Sequence, residues 1–171
     1  MRPVPEYDAK SWLLKALRET AHAMESLIWD LDEDALARAP EDGEWSCERL
    51  VQHMREMERR YIDRLERIVR MDDPRIDAFD ADSIEQSDSP DDRDDDDAGD
   101  SVFEQMDEFS VLRRQAVYPL WSLDDAGWRR RGIHPSRGPL ATPPVAREMN
   151  QHDPPPHVTA SCGDRRCSNG G

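Results

Sequence analysis

His53 sits inside the strongest amphipathic helical pattern of the chain, and His152 and His157 follow about a hundred residues later in the run Gln151-His152-Asp153-Pro154-Pro155-Pro156-His157. Neutral imidazole is the commonest metal ligand. Three imidazoles with one open coordination position make a Lewis-acid site that lowers the pKa of what binds there. The spacing from His152 to His157 is five, which on a helix turns the second ring ~100° away from the face that a spacing of four would share. The three prolines between them break a helix in any case, so His157 reaches such a site only from an irregular turn. Asp153 and Glu148 are substitute ligands, and Glu148, four residues before His152, shares its helical face. Glu56 and Glu58 read as solvated surface carboxylates, with orientation of His53 as their functional alternative. Arg113 is expected to pair with a carboxylate inside the fold, and His134 to be structural or to form the rim of the site.

Other chemistries fail on spacing. His157, Cys162 and Cys167 are each five apart, looser than structural zinc sites use, and a fourth ligand is missing. A di-iron centre needs paired Glu-x-x-His motifs, and His53-x-x-Glu56 runs in the reverse order. The sequence holds no Gly-x-Ser-x-Gly, His-Glu-x-x-His or phosphate-binding loop.

The elements that must position these residues follow from apolar periodicity. Leu13, Leu17, Met24, Leu27, Ile28 and Leu31 predict a first helix from about Asp8 to Leu31. Leu36 to Ser46 reads as a connection punctuated by Pro40 and Gly43. Ser46 is a natural N-cap, preceded by Trp45 as a staple against Leu50. Leu50, Met54, Met57, Tyr61, Leu65 and Ile68 then form the stripe of a second helix to about Arg70, ~37 Å long, with His53 at its margin. A third helix from about Ser101 to Leu123 would bury Phe103, Met106, Phe109 or Ser110, Val117, Leu120 and Trp121, and should kink or restart at Pro119. Trp128 to Pro139 reads as loop. Thr142-Pro143-Pro144 looks like the cap and first turn of a short fourth helix that presents Val145, Met149 and His152 and stops after roughly three turns. Four helices without a strand pattern predict an all-α fold, an up-down four-helix bundle with a truncated or irregular fourth helix.

Charge sharpens the picture. Of the net −15, the segment 77–100 alone, with eleven Asp and Glu85 against Arg93, carries all but −4. It cannot bury anything and is expected to be a disordered acidic loop. It lacks the spaced ligands, mid-loop Gly and closing Glu of a calcium loop. An acidic chain with no Lys/Arg stripe excludes nucleic acid as partner. No apolar run reaches the ~20 residues that cross a bilayer, and the N-terminus lacks a signal-peptide core, so a cytoplasmic location is expected. Three scattered cysteines are expected to be reduced thiols.

Taken in order, these features resemble a known family. They are a long first helix, Pro40-x-x-Gly43-Glu44-Trp45-Ser46, His53 with Glu58, Tyr61-Ile62-Asp63-Arg64-Leu65, Phe109-x-x-x-Arg113, Gly132-x-His134-x-x-x-Gly138, and His152-Asp153 with a later His. The pattern is similar to the DinB-like metal-binding four-helix bundles and spans about Ser11 to His157. It implies one domain over residues 8–157, followed by an irregular tail, 158–171. The resemblance implies a divalent metal, zinc or nickel, held by His53, His152 and His157, and homodimerisation. It also implies a small-molecule substrate and an activity among thiol-cofactor-dependent transferases, isomerases or hydrolases, with a low-molecular-weight thiol as a further cofactor. In that family the last two ligands are spaced His-x-x-x-His, whereas Pro156 stands here where the second is wanted. The alternative is a metal-free helical bundle serving as a dimerisation or regulatory module.

Overall fold

The computed structural model describes residues 6–38, 45–77 and 100–153. The expected acidic loop (apart from its ends, Asp77 and Asp100), His157 and the 158–171 tail lie outside them. Four main helices carry the fold: α1 (Glu6–Trp29), α3 (Cys47–Arg70), α4 (Val102–Ser122) and the short α6 (Thr142–His152). Two smaller ones, α2 (Glu33–Ala37) and α5 (Asp125–Trp128), and a hairpin of β1 (Arg131–His134) and β2 (Gly138–Ala141) join them. α4 packs chiefly on α1 and α3, and α6 closes the opposite side against the same two helices.

Local chemistry sets the helix boundaries. Ser46 caps α3 by accepting the amide hydrogen of Arg49, and Ser101 and Glu104 form a reciprocal capping box at the start of α4. Asp32 caps α2, and Leu36 within it is fully buried; this short helix lies where the sequence suggested only a connection. The buried stripe of α1 is Leu14, Leu17, Ala21, Met24 and Ile28, spaced three and four apart, so Leu14 rather than Leu13 faces inward.

Three further expectations are corrected. α4 runs unbroken through Pro119, because Pro119 and Gln115, whose carbonyl loses its donor, are both exposed and water can take the place of the missing amide. The cap of α6 is Ala141 and not Thr142, with Pro143 and Pro144 in the first turn. Trp128 to Pro139 is no loop but runs from the last residue of α5 through β1 and the turn into β2. The hairpin pairs Gly132 with Leu140 and His134 with Gly138, and it is fastened to the end of α3 by Ile133 N–H to Pro74 O (2.7 Å) and Ile76 N–H to Ile133 O (3.1 Å). Its contact with α3 requires glycine, since a Cβ on Gly132 would lie 2.8 Å from Ile76 Cγ2.

The core falls into two apolar clusters. One, around Leu14, Leu17, Tyr61, Leu65, Leu120, Trp128, Val145 and Met149, binds α6 and the hairpin to the other helices. The second, around Met24, Ile28, Leu36, Val51, Met54, Met106 and Phe109, fills the opposite end. Cys47, fully buried there, is disulfide-bonded, which overturns the expectation that it is a reduced thiol.

Candidate functional site

Between the two clusters lies a layer of buried polar side chains, contributed chiefly by α3 and α4, which a backbone carbonyl of α1 and the end of α6 complete. His53 projects from α3 at 3% exposure. Its ring is boxed in by the edge of Trp45, at 4.8 Å between centroids, and the guanidinium of Arg49 covers Trp45 at 4.5 Å. Trp45, Arg49 and His53 recur every four residues, which puts them on one face of the helix start. Trp45 is therefore engaged with His53 and Arg49.

His152, the last residue of α6, meets His53 across the bundle. Their Nε2 atoms are 2.8 Å apart, and the ring of Tyr61 stands 6.3 Å from that of His152. Burial, with His152, Arg49 and Arg60 adding to it, pushes the His53 imidazole down to about 4, so it is neutral at pH 7 and keeps a lone pair to offer. Its Nδ1 is buried without a hydrogen-bond partner among the described residues. Burial and Glu148 push the Tyr61 hydroxyl up to about 12, so it holds its proton at neutral pH.

Beside the pair, Arg113 of α4 binds three other elements at once. Its Nε donates to Glu58 of α3 at 2.9 Å, its Nη1 to the Leu17 carbonyl of α1 at 2.8 Å, and its two Nη atoms to Asp153 at 3.0 and 2.7 Å. Arg113 thus pairs with carboxylates inside the bundle, as the sequence suggested. Glu58 is not a solvated carboxylate; its side chain is almost fully buried, and burial pushes it up to about 7 despite the opposing pull of Arg113. Glu56 pairs instead with Arg60 on the surface. Glu148 is turned to Arg64 and Arg137. His134 is structural: its Nδ1 accepts the backbone N–H groups of Ser136 (3.3 Å) and Arg137 (3.2 Å) and so closes the hairpin turn.

The structure therefore brings together His53 and His152, while His157 lies outside the described residues. Two imidazoles with converging Nε2 atoms have the donor chemistry of a divalent cation site. Two Zn–N bonds of about 2.0–2.1 Å at a tetrahedral angle need roughly 3.3 Å between nitrogens, half an ångström more than the pair shows. Asp153 and Glu148, the candidate substitutes, are held by arginines, and among the described residues no three His, Cys, Asp or Glu side chains converge on one point. The described residues thus supply two donors that fit a metal and no third. Arginine bridging at Arg113 was only half legible, because nothing in its spacing from Glu58 and Asp153 announces that both carboxylates meet one guanidinium.

A sequence model of the DinB superfamily matches residues 16–153, most of the chain. Among solved structures the chain is similar to YfiT from Bacillus subtilis, described as a probable metal-dependent hydrolase with an unusual four-helix bundle topology. The TM-score is 0.71 at 15% identity, covering 96% of this chain and 89% of that one. At that identity the likeness shows the fold. No curated protein matches the chain.

Proposed function

The chain belongs to the DinB superfamily, and from that premise we propose that it is a metal-dependent enzyme acting on a small molecule, with His53, His152 and His157 as the ligands of one divalent cation. The observation that carries this reading is the approach of the His53 and His152 Nε2 atoms to 2.8 Å. A bound zinc or nickel ion would supply Lewis acidity and lower the pKa of a water or thiol in its open position. Hydrolysis is the favoured reaction, because the structural neighbour is described as a probable hydrolase; thiol-dependent transfer or isomerisation, with a low-molecular-weight thiol as cofactor, is the finer variant.

The roles of this chain's own residues follow from their contacts. His53 stays neutral and available because burial disfavours its charged form. Trp45 and Arg49 hold its ring. Arg113, through Asp153, fixes the end of α6 and with it His152. The partner in this reading is a small molecule; the net charge of −15 disfavours a phosphate backbone, and no helix among the described residues is long and apolar enough to cross a bilayer. Homodimerisation belongs to this reading and is supported by exposed Trp12 and Trp29. A cytoplasmic location belongs to it as well, and the disulfide at Cys47 stands against it.

One observation favours a second reading, a metal-free module: the imidazole pair can close on itself as an N–H···N hydrogen bond, with the nearby carboxylates occupied by arginines. Elemental mass spectrometry of the purified protein separates the two. Near-stoichiometric zinc or nickel that disappears in both His53→Ala and His152→Ala supports the enzyme. Absence of metal after dialysis against either ion sinks it.

A further inference from the structure

A cleft of about 590 Å³ opens between α1 and α4, and neither His53 nor His152 lines it. On α4 its wall is formed by Ser110, Arg114, Val117, Tyr118 and Trp121, one helical face over about 16 Å at 1.5 Å per residue. The volume falls within the range of small-molecule sites.

Two groups in this wall are unspent. Ser110 is 4% exposed and its hydroxyl has no hydrogen-bond partner among the described residues. A buried hydroxyl without a partner is costly, which points to a ligand atom as its complement. Arg114, one turn further on, has no acidic partner among the described residues, whereas the cleft's other guanidinium groups are engaged: Arg18 lies 2.8 Å from Glu19, and Arg113 is committed to Glu58 and Asp153. Beyond Arg114, Tyr118 and Trp121 are both more than half exposed, and their rings flank the apolar end of the same face.

We propose that the α1–α4 cleft is a binding site for aromatic monocarboxylates, whose carboxylate is held by the Ser110 hydroxyl and the Arg114 guanidinium and whose ring rests against Tyr118 and Trp121. A carboxylate accepts both a hydroxyl and a guanidinium donor, and an aromatic ring gains by burying exposed aromatic surface. Neither His53 nor His152 lines the cleft, and Arg113, the one lining residue tied to that pair, is not among the groups that hold the ligand.

The test is calorimetric titration of the full chain with naphthylacetate and, as its neutral counterpart, naphthylacetamide. The acid is expected to bind at least tenfold more tightly than the amide. Arg114→Gln, on the protein surface and without an ionic partner among the described residues, should abolish that preference while leaving thermal unfolding unchanged. Ser110→Ala and Trp121→Ala should each weaken the acid severalfold. Failure of the acid to bind overturns the proposal, as does equal binding of acid and amide, or a preference that survives Arg114→Gln. Metal content of the same preparations is unaffected by any of these outcomes.

Discussion

Arg113 grips Asp153 through both Nη atoms, at 3.0 and 2.7 Å, and Asp153 is the residue that follows His152 at the end of α6. A side chain of α4 thereby sets where α6 stops and where its terminal imidazole stands. The same guanidinium holds Glu58 and the Leu17 carbonyl, so one side chain ties all four main helices together.

Removing that cation leaves two carboxylates buried without compensation. Arg113→Met is expected to destabilise the fold by about 3–5 kcal/mol, measured by urea unfolding at pH 7. Arg113→Lys should recover only a small part, because an ammonium cannot reproduce the planar fork. A lysine variant as stable as the parent would contradict the bidentate account.

Two buried groups make stability depend on pH in opposite directions. The His53 pKa is lowered from 6.5 to about 4, so its contribution is present above 6.5 and is lost as pH falls toward 4. The Glu58 pKa is raised from 4.5 to about 7, so its contribution is present below 4.5 and is lost as pH rises through 7. Each amounts to roughly 3 kcal/mol at most, and between pH 4.5 and 6.5 they offset each other. In chelator-treated protein His53→Gln should lose stability on going from pH 4.5 to 7, and Glu58→Gln should lose it on going from pH 6.5 to 4.5. Identical pH profiles for the two variants would refute the assignment.

Much of this was legible in the sequence, and the failures share a physical origin. The cap at Ser46, the stripe from Met54 to Ile68 and the bounds of α4 rest on local signals, and all three hold. The hairpin was missed because its strands, Arg-Gly-Ile-His and Gly-Pro-Leu-Ala, are too short to alternate visibly, and their anchorage is the backbone of Pro74 and Ile76 far upstream. Leu14 was passed over for Leu13 because neighbouring leucines leave the phase of a helix ambiguous by one residue. The His53–Trp45 contact could have been read from the four-residue spacing of Trp45, Arg49 and His53. The meeting of Glu58 and Asp153 on Arg113 could not, since it depends on which helices become neighbours.

The hairpin's seat against α3 leaves no space for a side chain at Gly132, where an added Cβ would come within 2.8 Å of Ile76 and 3.0 Å of Ile68. Gly132→Ala should therefore cost about 1–3 kcal/mol through overpacking. Gly138→Ala meets nothing within 4 Å but sits at φ +73°, so it should cost about 1 kcal/mol from backbone strain alone. Differential scanning calorimetry of both variants checks the order, and a Gly138 variant more damaged than the Gly132 one would contradict it.

Trp45 is expected to act on metal affinity rather than on the fold. With its edge no longer against His53, Trp45→Ala should weaken zinc binding by roughly 10–100-fold, as loss of groups around a ligand commonly does. Competition with a chromophoric chelator measures this, and Trp45→Phe should restore most of the affinity. Unchanged zinc binding in Trp45→Ala would show that the ring does not orient His53.

The polar layer also governs how far the helices can slip. Moving α4 by one turn, ~5.4 Å, relative to α1 would carry Arg113 away from a carbonyl and from two carboxylates that have no other cation among the described residues. Axial registry is therefore encoded in a few charged atoms and not in the shape of any one leucine or methionine. A chain built this way can trade its greasy residues freely over evolutionary time while its helices keep the same alignment.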